Sequence, residues 1–287
     1  MKKAMFGSNG VHLLSSNEVA ALRMAFAGIF MLPFLLRLKM QVIKKSGWAI
    51  AGVALFGNGI PAFLFTAAET RLNSGFTGML NATTPLFTVL IAVLFLKVKV
   101  SYFNYLGIAI AMAGSLVLIA AETGFQISGD IQYAFLILGA TLCYAISINI
   151  SRTHLIFVHP VDIAAVAFVG LLIPCGIYLL TGTELVQKIG SGGEMLQALG
   201  YNAVLGMIGT AVAVILFNRL ISISSAVFAS SVTYLIPIMA TFIGFMAGEV
   251  IVWKHIAGMA LILAGVLLVN RKYPKKVSRD VAAPQQS

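Results

Sequence analysis

ATTPLFTVLIAVLF (residues 82–95) and YLIPIMATFIGFMA (residues 234–247) each hold one proline, Pro85 or Pro237, inside a long apolar run. Proline has no N–H to donate, and its ring clashes with the carbonyl one turn back, so it kinks the helix it interrupts. Runs of this length without an ionisable side chain suit helices in a bilayer, where about 20 apolar residues cross the hydrocarbon core. A break at that depth frees carbonyls that must face protein or a wet cavity. Two such breaks in one chain predict a path through the membrane between them.

The rest of the chain reads the same way. Of its 287 residues, 60% are hydrophobic and 10% charged, and mean hydropathy is +0.98. A water-soluble domain carries about 25% charged residues, so an all-α polytopic membrane protein is predicted. Nine full spans are placed at 18–38, 48–69, 73–96, 101–121, 131–151, 161–182, 198–218, 222–247 and 253–270. The net charge of +10 does not call for nucleic acid, because the basic residues sit in short clusters between spans and in the tail RKYPKKVSR (271–279). Those clusters alternate. Lys39, Lys44 and Lys45, then Lys97 and Lys99, then Arg152 and His154, then Arg219, then the tail fall on one side, while the intervening loops hold Glu69, Glu122, Asp130, Glu184, Glu194 and Glu249. Since Lys and Arg prefer the cytoplasmic side, the C-terminus is predicted to be cytoplasmic.

Residues 51–121 and 203–270 repeat one order of features. Phe65 matches Phe217 and Pro85 matches Pro237; Gly107 matches Gly258 and Gly114 matches Gly265; RMAFAGIFMLP (23–33) matches AVAFVGLLIPC (165–175). The chain is therefore read as two five-helix repeats, 1–121 and 122–272, with a cytoplasmic tail at 273–287. Five is odd, so the second copy enters the membrane inverted, which suits alternating access about a central cavity. The segment before Ser15 is too short for a full first span. The sequence predicts a truncated first helix here, completed by roughly 15–20 apolar residues upstream of FGSN (6–9).

Several of these segments carry a family likeness: FGSN at 6–9, AALRMAFAG at 20–28, the proline helix at 73–96 and AGEVIVWKHIAGMALILAGVLLVNR at 247–271. Together they resemble the EamA-type branch of the drug/metabolite transporter superfamily, over nearly the whole chain. The resemblance implies ten helices in two inverted five-helix repeats and transport of small organic solutes across the bacterial inner membrane, often export of amino acids or metabolites. It also implies that the first helix lines the cavity through Gly7, Ser8 and Asn9.

Candidate substrate-path residues are Ser8 and Asn9 of the truncated first helix, the polar and aromatic side chains Asn58, Asn81, Thr84, Tyr144, Ser147 and Tyr234 within spans, and the two prolines Pro85 and Pro237. Small solutes are held by apolar and aromatic walls with a few placed polar groups, and the competing role for each residue is a hydrogen bond between helices. Arg23 interrupts AALRMAF and is open to two readings, snorkelling to the interface or holding a substrate carboxylate. Glu69 could pair with Arg71 or with Arg23, and reads as a helix-end partner more than as a proton carrier; proton coupling and facilitated movement both fit the sequence. Cys143 and Cys175 lie in separate apolar runs, and His12, His154, His159 and His255 lack ligand spacing, so no metal is expected. With no nucleotide motif, no cofactor is expected either. The function expected is a secondary carrier; an integral-membrane enzyme acting on a lipid-like substrate is the alternative.

Overall fold

The structure is a computed structural model that describes residues 13–36, 38, 40–97, 102–123, 130–189, 193–223, 235–246, 248 and 251–270, all of them helix, turn or loop. In chain order the helices are α1 (Ser16–Leu35), α2 (Met40–Ala54), α3 (Ile60–Ala68), α4 (Ser74–Asn81), α5 (Thr84–Leu96), α6 (Tyr102–Thr123), α7 (Asp130–His154), α8 (Pro160–Thr181), α9 (Leu185–Ile189), α10 (Gly193–Gly206), α11 (Ala213–Ile223), α12 (Leu235–Met246) and α13 (Trp253–Asn270). Among the described residues seven stretches are long and apolar enough to cross a membrane: Ser16–Leu35, Val42–Ala68, Gly75–Leu96, Tyr102–Ala121, Ile131–His154, Pro160–Thr181 and Gly193–Leu220. They coincide with the first seven spans read from the sequence. The eighth is described only over α12, and the ninth is the shorter apolar helix Trp253–Leu268.

Some charged residues sit elsewhere than the sequence suggested. Lys44 and Lys45 are not in a loop. They lie exposed on the first turns of α2, which begins at Met40. Likewise Arg152 and His154 belong to the last turn of α7, where a cation complements the C-terminal end of the helix dipole. His154 meets Trp48 edge-to-face, with ring centroids 4.6 Å apart.

Among the described residues three spans are interrupted, each for a local reason. Pro61 cannot donate a backbone hydrogen bond, and just before it the chain widens into a π turn, Leu55–Gly59, between α2 and α3. A second π turn, Met207–Val212, joins α10 to α11 without a proline. Met207 lies 152 positions after Leu55, the spacing that also separates Pro85 from Pro237. The third interruption is at Pro85. Rather than kinking one continuous helix, the chain stops at Asn81, turns through Ala82 and Thr83, and restarts with Pro85 in the first turn of α5. That position suits a residue with no N–H. Tight bonds from Ala82 N to Met79 O (3.1 Å) and Thr83 N to Leu80 O (3.0 Å) close the turn.

Helix contact is built on small residues, as expected where lipid removes the hydrophobic drive between helices. The α1–α8, α4–α12 and α6–α13 pairs are in extensive contact. A methyl group added at Gly28 of α1 would lie 2.7 Å from both Leu172 Cβ and Phe168 O of α8. At the α6–α13 crossing, one added at Gly265 would lie 2.5 Å from Ala111 N and 2.6 Å from Gly107 O. Backbone therefore touches backbone. Around α1 and α8 gathers a core of fully buried side chains that includes Met24, Met31, Ile50 and Phe168.

Candidate substrate site

Both π turns carry a polar residue doing the same job. A π turn leaves the carbonyl five residues back within side-chain reach. Asn58 Nδ2 donates to Val53 O at 3.3 Å, and Thr210 Oγ1 donates to Leu205 O at 2.9 Å. Such turns recur at functional sites because they aim a side chain out of helical register. Asn58 is buried, and the neighbouring Gly57 lies hard against Ser147 of α7, with room for no side chain of its own.

One turn from Ser147, Tyr144 stacks on Phe65 of α3 with ring centroids 5.8 Å apart and an interplanar angle of 29°. Both rings are half-buried. Arg23 of α1 approaches from the other side. Its Nη2 donates to Thr210 Oγ1 at 3.2 Å, while Nε is sealed from solvent and has no hydrogen-bond partner among the described residues. The guanidinium thus turns inward to the second π turn instead of reaching along the helix for the interface. Close passage of α1 over α10 makes this possible: a side chain at Gly206 would collide with Arg23 O at 2.7 Å and Phe26 Cβ at 2.8 Å. α1 is also in contact with α3, which carries Phe65 and ends at Glu69. Glu69 itself caps the C-terminal end of α3, its N–H donating to Phe65 O at 2.9 Å.

Of the sequence candidates, Tyr144 and Ser147 lie one turn apart on α7, with Ser147 against the first π turn that holds Asn58, while Arg23 is on α1 and Glu69 ends α3, two helices in contact. Asn81, Thr84 and Pro85 stand at the α4–α5 break. There Thr84 Oγ1 donates to Asn81 O at 2.8 Å, so both side chains are engaged locally. Thr84 and Pro85 are buried. Ser8, Asn9 and Tyr234 lie outside the described residues, and Pro237 is placed only as part of the α12 backbone. The sequence offered Glu69 as one partner for Arg23; the hydrogen bond to Thr210, across 187 positions, leaves no local trace.

A second polar group escaped the sequence reading although its signal was present. Ser15-x-x-Glu18 is a capping box: Glu18 N donates to Ser15 Oγ at 3.2 Å and Ser15 N to Glu18 Oε2 at 2.7 Å. The other oxygen of this buried carboxylate pairs with Lys188 Nζ at 3.3 Å. Glu18, Lys188, Tyr178 and Thr183 line an open cleft of about 450 Å³ at that end of α1 and α8.

A model of the EamA-like transporter family matches residues 4–120 and 131–271. The chain belongs to the EamA-like transporter family. An uncharacterized transporter of Archaeoglobus fulgidus is 24% identical over 266 residues, 91% of each chain. The uncharacterized inner membrane transporter YedA of Escherichia coli K12 is 29% identical over 279 residues, covering 93% of this chain and 85% of YedA. A probable terminal-alkyne amino-acid exporter of Streptantibioticus cattleyicolor is 25% identical over 227 residues, 77% of this chain and 73% of that one. One solved crystal structure shares the fold with a TM-score of 0.60 at 16% identity, over 90% of this chain and 88% of its own. The inward-facing polar groups of this EamA-like chain, Asn58, Tyr144, Ser147, Arg23 and Thr210, are thus set in a transporter fold.

Proposed function

We propose that this protein is a secondary carrier that exports small organic metabolites, amino acids among them, across the bacterial inner membrane by alternating access. The observation that carries the reading is the matched pair of π turns. Asn58 and Thr210 stand 152 positions apart in interrupted spans, and each satisfies the carbonyl five residues back. Interruptions at matching positions fit two inverted repeats that exchange roles. The packing of α1 on α8 and of α6 on α13 supports the same duplication, because each pair joins segments that the sequence places at equivalent positions of the two copies. The exporter from Streptantibioticus cattleyicolor supports amino acids as the first substrates to try. The alternation of basic and acidic clusters supports a cytoplasmic C-terminus.

The test is flux. Purified protein in proteoliposomes loaded with a mixture of radiolabelled L-amino acids is expected to release at least one of them saturably, and to exchange it against the same unlabelled solute. An imposed pH gradient separates proton-coupled export, which it would drive uphill, from facilitated movement, which it would leave unchanged. Absence of saturable flux for any amino acid in the mixture would remove amino-acid export as the function.

A further inference from the structure

We propose that Arg23, steadied by Thr210, is the carboxylate-binding residue of the substrate site, with Phe65 and Tyr144 as its aromatic wall. The carrier would then select solutes that combine a carboxylate with an apolar or aromatic side group. This inference rests on the carrier reading above and narrows its substrate class.

A guanidinium within a membrane span is costly, and the part of it that solvent does not reach needs an opposite charge or hydrogen-bond acceptors; Arg23 is half-buried. Arg23 carries five N–H donors. The acceptor found for Nη2 is the neutral hydroxyl of Thr210 at 3.2 Å, and Nε, shut off from solvent, finds no acceptor among the described residues. Nε and one Nη form the edge of the fork that holds a carboxylate through two parallel bonds. Thr210 is held in turn. Its own proton goes to Leu205 O at 2.9 Å, which leaves the hydroxyl lone pairs facing Arg23. Thr210 lies within the second π turn, so the helix irregularity and the arginine's partner fall at one place. α1, which carries Arg23, is in contact with α3, which carries Phe65, and the ring of Tyr144 is stacked on Phe65 at 5.8 Å. A solute whose carboxylate reaches Arg23 would therefore find an apolar surface for its remaining atoms. The position is unique to one copy: the segment matching RMAFAG has Ala165 where the first has Arg23. The charge is thus an addition to the shared scaffold and is not part of its repeat packing.

The experiment compares acids with their neutral amides. Melting of purified protein is followed with L-phenylalanine, L-phenylalaninamide, benzoate and benzamide, for wild type, Arg23→Gln, Arg23→Lys, Thr210→Val and Thr210→Ser. The wild-type comparison needs no variant to fold. The expected result is stabilisation by the acids at concentrations about tenfold or more below those at which the amides act. Arg23→Gln is expected to erase that difference and Arg23→Lys to keep part of it. Thr210→Val weakens the acids alone and Thr210→Ser restores them, as a positioning residue requires. Equal effects of acid and amide on wild type, no effect of either acid, or an acid preference that survives in Arg23→Gln, would overturn the proposal. The flux assay separates the two readings. Acid-selective binding without flux keeps the arginine's role and removes export, whereas flux indifferent to the carboxylate keeps export and removes the arginine's role.

Discussion

Consider replacing Gly265 with alanine. The added methyl carbon would lie 2.5 Å from Ala111 N, 2.6 Å from Gly107 O and 2.8 Å from Ala111 Cβ. Two of these are backbone atoms of α6 and cannot rotate aside. Carbon contacts settle at about 3.5–4.0 Å, so α6 and α13 must part by about 1 Å at this level. A gap of that size forfeits a quarter to a half of each contact's ~0.1–0.2 kcal/mol. Over the few tens of atom pairs at such a crossing the loss sums to about 1–2 kcal/mol, within the usual range of about 1–3 kcal/mol for overpacking. Thermal unfolding of purified protein should show the change as a melting temperature lower by about 2–8 °C. Gly170→Ala supplies the internal reference. Gly170 is exposed on α8 with no atom within 4 Å of the added carbon, and alanine is the better helix former by up to about 1 kcal/mol. Its melting temperature should hold or rise. If Gly265→Ala melts with or above the wild type, the backbone contact does not set the spacing of the two helices and the reasoning fails.

Three further outcomes are expected. Asn58→Leu removes the donor that satisfies Val53 O within the first π turn, and should cost about 1–3 kcal/mol; a melting temperature equal to wild type would mean the turn holds without its side chain. Glu18→Ala loses both the capping-box acceptor and the partner of Lys188, so it should destabilise by about 1–2 kcal/mol, while Glu18→Gln, which keeps an acceptor for Ser15 N–H, loses less; the two melting curves decide it. Glu69→Gln should leave counterflow exchange within about twofold of wild type, because the α3 terminus is capped by the backbone N–H of this residue and an amide still serves there; loss of exchange in a well-folded variant would make Glu69 part of the transport step.

The spans were legible because their signal is local: a bilayer imposes about 20 apolar residues on each helix, and the seven long apolar helices fall where those runs predicted. Pro85 was legible as an interruption, but the sequence could not tell a kink from a full stop. The outcome turned on Ala82 and Thr83 closing a tight turn to Met79 and Leu80, a choice no composition records. The first π turn left a partial trace in FGNGIP, glycines beside Pro61, whereas the second, in MIGTAV, left none. Arg23 stood out as a charge in apolar sequence. Its direction did not, because Thr210 is distant in the chain and reaches Arg23 only through the packing of α1 against the second π turn. Glu18 was missed for a different reason. It sits at the very start of a span, where an acid looks like an ordinary boundary residue until its partner Lys188 is seen.

The π turns bear on which genetic lengths this chain tolerates. Each holds one residue more than the α-helical path needs, and the flanking helices are already aligned around that surplus. Deleting a single codon between Leu55 and Gly59, or between Met207 and Val212, should therefore let the wide turn close into ordinary helix while both flanks keep the faces they now present. The same deletion beside Phe168, in the unbroken α8, would rotate everything beyond it by about 100° and carry buried side chains into lipid. A library of one-codon deletions should accordingly show two narrow windows of surviving folded protein, near 55–59 and 207–212, within spans that otherwise accept none.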